Sequence, residues 1–252
     1  MRLTFLGSGT STGVPTLACH CKVCTSTDPH DKRTRPSVLL EFDGRAVVID
    51  TTPDFRTQAL REGLERLDAI LFTHAHADHI LGLDDVRIYN FRQRKAIPIY
   101  ADASCLGDLR RIFLYIFEGN YPYGNLAKLD PHVIDGPFEV FGQNIVPVPV
   151  LHGHTTILGF RFNHTAYLTD VSAIPDSSLP LLEGLDVLIL DTLRHKPHPT
   201  HLTVEQALAV IDRLGPRRAF LTHIAHELGH EETNALLPPH VRLAYDGLKL
   251  EL

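Results

Sequence analysis

Apolar residues in this chain gather in short runs, each closed by glycine, proline or a charged side chain. RLTFLG (2–7), SVLLEF (37–42), AVVID (46–50), AILFT (69–73) and IPIYA (97–101) occupy the first half. NIVPVPVL (144–151), ILGFRF (157–162), TAYLTD (165–170), DVLILDT (186–192) and RAFLTH (218–223) continue the pattern in the second. Runs of this length bounded by turn formers are predicted strands. Several lack polar alternation, as strands covered on both faces do. Between them, three- and four-residue spacing predicts helices over 54–67, 103–117 and 203–215. The last carries Thr203 as N-cap, Gln206 to complete a capping box and Gly215-Pro216 as a stop. Strands with interspersed helices, without a linker or fixed repeat, predict α/β layers in one domain covering 1–252. Residues 118–137, with Tyr121 and Tyr123, read as a loop that could serve as a lid, a subunit contact or a plain surface excursion.

Composition adds limits rather than a function. A 252-residue chain with 44% hydrophobic residues can bury a substantial core. Its formal charge of -6 gives no global drive toward nucleic acid or anionic membranes, so a phosphate-bearing substrate has to be caught locally. The opening MRLTFLGSG has neither the apolar region nor the cleavage site of a signal peptide. No run approaches the roughly 20 apolar residues that span a bilayer. A cytoplasmic protein is therefore expected, and in that reducing setting Cys19, Cys21 and Cys24 point to metal binding or redox chemistry before a disulfide. The remaining cysteine is Cys105.

Histidine changes the picture, with 16 in the chain. THAHADH places His74, His76, Asp78 and His79 directly after an apolar run. In extended backbone His74 and His76 point the same way, while Asp78 and His79 can turn toward a neighbouring position. The arrangement suits two adjacent metal ions; a solvated polar loop is opposed by the flanking AILF and ILGL. His152, Asp170 and His223 each follow a further apolar run. AILFTHAHADH and RAFLTHIAHE both run a strand into Thr-His, so His74 and His223 are expected to share the crevice beyond the strand ends.

The order H-x-H-x-D-H, then His152, Asp170 and His223 at long intervals, resembles the metallo-β-lactamase superfamily over essentially the whole chain. The resemblance implies an αβ/βα four-layer sandwich. It assigns His74, His76 and His152 to one metal, Asp78, His79 and His223 to a second, and Asp170 to both. Asp50 matches an acidic position beside the site, with the role of orienting a ligand histidine. Two cations roughly 3.5 to 4 Å apart can generate hydroxide near neutral pH and stabilise displacement at phosphorus.

Finer marks narrow the family. Secreted β-lactamases carry a signal peptide and another residue at the bridging position, and glyoxalase II adds a C-terminal helical domain; neither pattern fits. FLGSGTSTGVPT, with Gly7, Gly9 and Gly13, is similar to the opening shared by transfer-RNA 3′-processing endonucleases and cyclic-phosphate phosphodiesterases. It reads as a tight turn near the site or a phosphate cradle. The basic arm of the endonucleases has no counterpart, since Arg92, Arg94 and Lys95, or Arg217 and Arg218, form only short clusters that read as solvated faces. CHCKVC resembles the extra zinc site of the phosphoribosyl 1,2-cyclic phosphate phosphodiesterase group of phosphonate degradation. That likeness makes Cys19, Cys21, Cys24 and His226 a structural zinc site, typical in being closed by four ligands. It also makes His201 the residue that protonates the leaving group, with His195 and His198 close enough to compete; His154, two after His152, reads first as an exposed loop residue and second as a substrate contact. Asp246 and Gly247 match the group's ending and read first as a hairpin turn.

The expected protein is thus a cytoplasmic, metal-dependent phosphodiesterase acting on small, cyclic phosphodiesters. A hydroxide bridging two divalent ions, zinc or manganese, would attack phosphorus, with His201 and Asp78 as catalytic residues. One structural zinc is expected, no membrane or nucleic-acid partner is, and a homodimer is admitted. The alternatives are an RNA-processing nuclease of the same fold and a non-enzymatic metal sensor or scaffold.

Overall fold

The computed structural model describes residues 1–118 and 125–252. Strands β1 (Arg2–Gly7), β2 (Ser37–Phe42), β3 (Arg45–Ile49), β4 (Ala69–Leu71), β5 (Ile97–Ala101) and β6 (Leu129–Val133) form one sheet. β7 (Phe138–Val140), β8 (Gln143–His152), β9 (Thr155–Phe162), β10 (Thr165–Leu168), β11 (Val187–Asp191), β12 (Arg218–Thr222) and β13 (Val241–Leu243) form the second. β14 (Lys249–Glu251) returns to the first sheet and pairs antiparallel with β1.

Alternation along each strand explains the layers. Leu3 and Phe5 of β1, Val47 and Ile49 of β3, and Leu71 of β4 point inward to meet Phe160, Phe162, Tyr167, Ile189 and Phe220 of the opposite sheet. Their neighbours Leu6, Val48 and Ile70 face the other way, under helices α1 (Phe55–Arg61), α3 (Arg87–Gln93) and α4 (Ala103–Ile112). Leu188, Leu190 and Leu221 do the same under α6 (Val204–Leu214). With both faces covered, these strands need apolar residues at consecutive positions, which is why they lack alternation. A fully buried Leu or Phe stabilises by about 1.5–3 kcal/mol, so the inter-sheet layer holds the halves together. The αβ/βα sandwich expected from the sequence is the fold observed.

Helix α6 matches its signals: Thr203 Oγ1 accepts from Gln206 N at 3.2 Å, Thr203 N donates to Gln206 Oε1 at 2.9 Å, and Gly215 is its C-cap. The helix expected over 54–67 ends at Arg61, because Gly63 adopts φ 63° and turns the chain away. The stretch 103–117 breaks at Phe113 (φ -105°, ψ 41°), so α5 (Leu114–Glu118) is a separate helix. Residues 118–137 are not all loop, since β6 lies among them and pairs parallel with β5; Tyr121 and Tyr123 fall outside the described residues. Asp246-Gly247 is not a hairpin turn. It is the corner where the chain crosses from β13 in one sheet to β14 in the other.

No helix among the described residues is long and apolar enough to cross a membrane.

Candidate metal centre and its neighbours

β3, β4, β10, β11 and β12 run parallel to sheet neighbours, and polar residues at or just beyond their C-terminal ends meet in one crevice. His74 and His76 follow β4, His76 in extended backbone. The short helix α2 (Ala77–Ile80) then turns Asp78 and His79 toward a second point. Asp50, Asp170 and His223 follow β3, β10 and β12 with φ of 65°, 58° and 60°. Left-handed backbone at three non-glycine site residues is strain that the surrounding sheets hold in place.

The ligand-type atoms of His74, His76 and His152 lie within 4.8 Å of one another, and so do those of Asp78, His79, Asp170 and His223. Asp170 joins the two sets: Oδ2 is 3.1 Å from His79 Nε2, while Oδ1 is 3.3 Å from His223 Nε2 and 4.0 Å from His152 Nε2. Donors 2.0–2.2 Å from a tetrahedral cation sit about 3.4 Å apart, close to these spacings.

The tautomers fit the same purpose. His79 Nδ1 donates to Asp50 Oδ2 at 2.7 Å, His152 Nδ1 donates to Thr200 O at 3.0 Å, and His74 Nδ1 lies 3.0 Å from Thr73 Oγ1, which itself donates to Asp50. The buried Nε2 atoms of His74, His79 and His223 make no hydrogen bond, although carboxylate oxygens stand beside the latter two. An unpaired imidazole nitrogen in a dry site is costly unless a cation takes its lone pair. The residues present fit a pair of divalent ions.

With no cation to balance them, the carboxylates act on the two sets differently. Burial pushes His74 well below the ordinary histidine range and lowers His152, so both are neutral donors. Burial also opposes a charged His79 and His223, but Asp170 with Asp50 and Asp78 holds His79 well above its ordinary value, and Asp170 with Asp78 and Asp191 brings His223 to about 9. Asp78 and Asp170, although buried, are held below the carboxylate range by His79 and His223. Asp50, fully buried, is raised by that burial.

Of the three competing histidines, only His201 enters the crevice. Its ring stacks 4.5 Å from His223 and lies 5.0 Å from His152. His201 Nδ1 donates to Asp191 Oδ1 at 3.1 Å. His198 sits behind it, hydrogen-bonded to Thr200, while His195 is paired with Glu205 at the surface. His154 is exposed.

Sequence reasoning missed Asp191. Its carboxylate also accepts from Leu202 N at 3.0 Å and stands 3.5 Å from His223 Nδ1, so one buried group holds His201 and places its charge beside His223. The signal was available, since Asp191 ends an apolar run as Asp50 and Asp170 follow theirs. Asp246 was also undervalued: it accepts from Ser8 N and Oγ, Thr34 N and Oγ1, and Arg61, pinning the glycine-rich opening. Within that opening, a Cβ on Gly7 would stand 1.9 Å from Arg35 O, so the glycine is there for close packing.

The cysteine cluster lies next door. Cys19, Cys21 and Cys24 place Sγ 3.2, 3.4 and 3.5 Å from His226 Nδ1. Zinc bonds of 2.3 Å to sulfur and about 2.05 Å to nitrogen give a tetrahedral S···N edge of about 3.6 Å, so the set fits zinc. The Cys24 N–H donated to Cys21 Sγ, with further help from the neighbouring thiols and His226, lowers the Cys21 thiol to about 6; burial raises Cys24 to about 11. Ile224, between His223 and His226, ties the glycine-rich opening that leads into this loop to the crevice by donating to Ser8 O and accepting from Thr10 N.

Comparison with known proteins places the chain. The model of the beta-lactamase superfamily domain matches residues 45–224. A crystal structure described as a new diphosphatase from the PhnP family is 52% identical, covering 100% of this chain and 97% of that one at a TM-score of 0.94. The chain belongs to the PhnP family of the metallo-β-lactamase superfamily. Among curated relatives of this family member, an octanoyltransferase of Porphyromonas gingivalis is 43% identical over 99% of this chain and 51% of its own length. A ribonuclease Z of Bradyrhizobium diazoefficiens is 31% identical over 75% of this chain and 61% of its own. The chain thus spans about half to three-fifths of these two relatives.

Proposed function

We propose that the protein is a metal-dependent phosphodiesterase that hydrolyses small phosphodiesters, cyclic ones among them. The observation that carries this reading is the convergence of His74, His76, Asp78, His79, His152 and His223 around Asp170, with His201 held by Asp191 at the edge. His74, His76 and His152 would hold one divalent cation, Asp78, His79 and His223 the other, and Asp170 both. When bound, such a pair supplies an activated water and neutralises charge on a phosphoryl group. Zinc and manganese both suit this set of nitrogen and oxygen donors.

The remaining work falls to side chains. Asp50 and Thr200 O fix the rings of His79 and His152 so that Nε2 faces inward. Asp191 accepts from His201 Nδ1 and leaves Nε2 as the atom that hands a proton to the departing alkoxide. A cavity of about 130 Å³ borders His74, His76 and His152 and is lined by Asp102, Ser104, Asp108 and Thr155. It offers hydrogen-bond partners to a small hydroxylated substituent.

The likeness to a ribonuclease Z raises RNA as a substrate, but the net charge of -6 and the two carboxylates beside the cluster disfavour a polyanion. The octanoyl transfer in the other relative's name belongs to a protein of which nearly half lies beyond the match. His201 beside the cluster favours turnover over a purely sensing role. The family likeness to a diphosphatase supports chemistry at phosphorus. Free cysteines fit a reducing, cytoplasmic setting.

The test is turnover of bis(p-nitrophenyl) phosphate and a panel of cyclic phosphodiesters by zinc- and manganese-loaded protein. Hydrolysis lost on chelation and restored by metal is expected. Absence of turnover on the whole panel with both ions loaded overturns the reading.

A further inference from the structure

A third group of ligand-type side chains lies outside both clusters. His30, on the 3-10 turn Pro29–Asp31, meets His230 and Glu231 at the start of α7 (His230–Asn234), with one donor atom from each within 4.8 Å of the others. We propose that His30, His230 and Glu231 form an additional site for a divalent transition-metal ion, distinct from the strand-end pair and from the cysteine zinc.

Four observations support the site. First, His230 is 6% exposed and its buried Nδ1 has no hydrogen-bond partner among the described residues. Burying an imidazole nitrogen without a partner is unfavourable, and coordination is one way to satisfy the ring. Second, the ring geometry is that of the strand-end ligands: His30 and His230 have centroids 4.5 Å apart at 47°, against 4.5 Å at 75° for His74 and His76 and 4.2 Å at 47° for His74 and His79. Third, carboxylates of the same turn fix the backbone of both histidines: the His30 N–H donates to Asp28 Oδ1 at 2.9 Å and the His230 N–H to Asp31 Oδ1 at 2.9 Å. Fourth, the nearby Arg33 cation is already committed. It bonds Asp31 Oδ1 at 3.1 Å, Leu228 O at 2.8 Å and Ala225 O, so its charge is matched before a metal arrives.

Two imidazoles and one carboxylate select zinc, cobalt or nickel over magnesium or calcium, which prefer all-oxygen sets. Glu231 is exposed and three protein donors leave a position for water, so this ion exchanges more readily than the four-ligand zinc. Its position has a structural consequence. The segment running from His223 through His226 to His230, already tied to the 19–33 region by Arg33 and by the His230 N–H donated to Asp31 Oδ1 at 2.9 Å, would gain a second metal link to it.

The experiment is a zinc titration of the holoprotein with metal content read after desalting, followed by cobalt titration read by its absorption bands. The readout is stoichiometry and needs no substrate, so it stands apart from the phosphodiesterase assay. Wild type should bind one zinc more per chain than His30→Phe, which keeps a ring against His230 and Tyr245 but removes the nitrogen donor. Glu231→Gln should weaken that last ion at least tenfold. Equal stoichiometry in wild type and H30F overturns the site, as does an extra ion retained in H30F but lost in His195→Ala, which would assign it to the surface His195–Glu205 pair.

Discussion

At the strand ends, the Nδ1 atoms of His74, His79 and His152 are held by protein oxygens, leaving Nε2 for the metal, and two carboxylates sit among the ligands. At the cysteine loop, His226 turns Nδ1 to three thiols, and its Nε2 lies 3.6 Å from Glu227. The first set is anchored on strand ends of both sheets, with orienting partners behind it and His201 and a cavity in front. The second sits on a loop and brings four donors together, the number that closes a tetrahedral zinc site. Proximity in the fold, through Ile224, therefore does not make the two alike: coordinating groups become catalytic when rigid partners aim them and a position is left for substrate.

Changing Asp170 should do most to break this contrast. Asp170→Asn weakens both halves at once, and metal analysis should show loss of the strand-end ions with retention of the cysteine zinc, together with loss of measurable hydrolysis. His201→Ala should leave all metals in place and lower kcat by about 10²–10⁴, with KM little changed; an unchanged kcat would remove His201 from proton transfer. Asp191→Asn keeps shape but loosens the aim of His201 and removes the charge beside His223, so a fall of about 10–100-fold is expected, with a shifted pH–rate profile as the sign that orientation is lost.

His226→Ala acts on the other side of the comparison. It should release one zinc per chain and increase amide exchange in residues 10–30, while activity falls only a few-fold; unchanged zinc stoichiometry would rule the cysteine assignment out. Asp68 provides a control remote from both clusters. Although burial alone would raise it, Arg66, the Ala46 N–H and Lys95 hold its carboxyl below the usual range. A depressed carboxyl stabilises the fold above its unfolded pKa of about 3.9 and loses that contribution as pH falls through the lower folded value. Asp68→Asn should thus cost about 1–2 kcal/mol near neutral pH and less in acid, with its cationic partners partly in solvent. Denaturant melts at pH 7 and pH 3 read the difference, and activity should be unaffected.

Local signals were legible where local physics decides. RLTFLG, SVLLEF and IPIYA are strands over the expected residues, and the capping box of α6 needs only Thr203 and Gln206. Boundaries failed where the backbone answers to its surroundings, as at Phe113. Asp246 was read as a turn because its partners Ser8 and Thr34 are more than 200 positions away. Asp191 was passed over because an aspartate ending a strand gains its role only when His201 and His223 arrive from other elements.

The sequence alone determined the kinds of side chain available, their order, and the strands that carry them, because apolar runs and cap residues act within a few positions. Resemblance to a family then named partners for them. Tertiary structure decided which nitrogen of each imidazole is free, that Asp170 faces both halves, that His201 rather than His195 or His198 enters the crevice, and that His226 lies against the three thiols. Those outcomes depend on closing two sheets over one buried layer. The packing that closes them brings together residues whose separation along the chain carries no information about the distance between them in space.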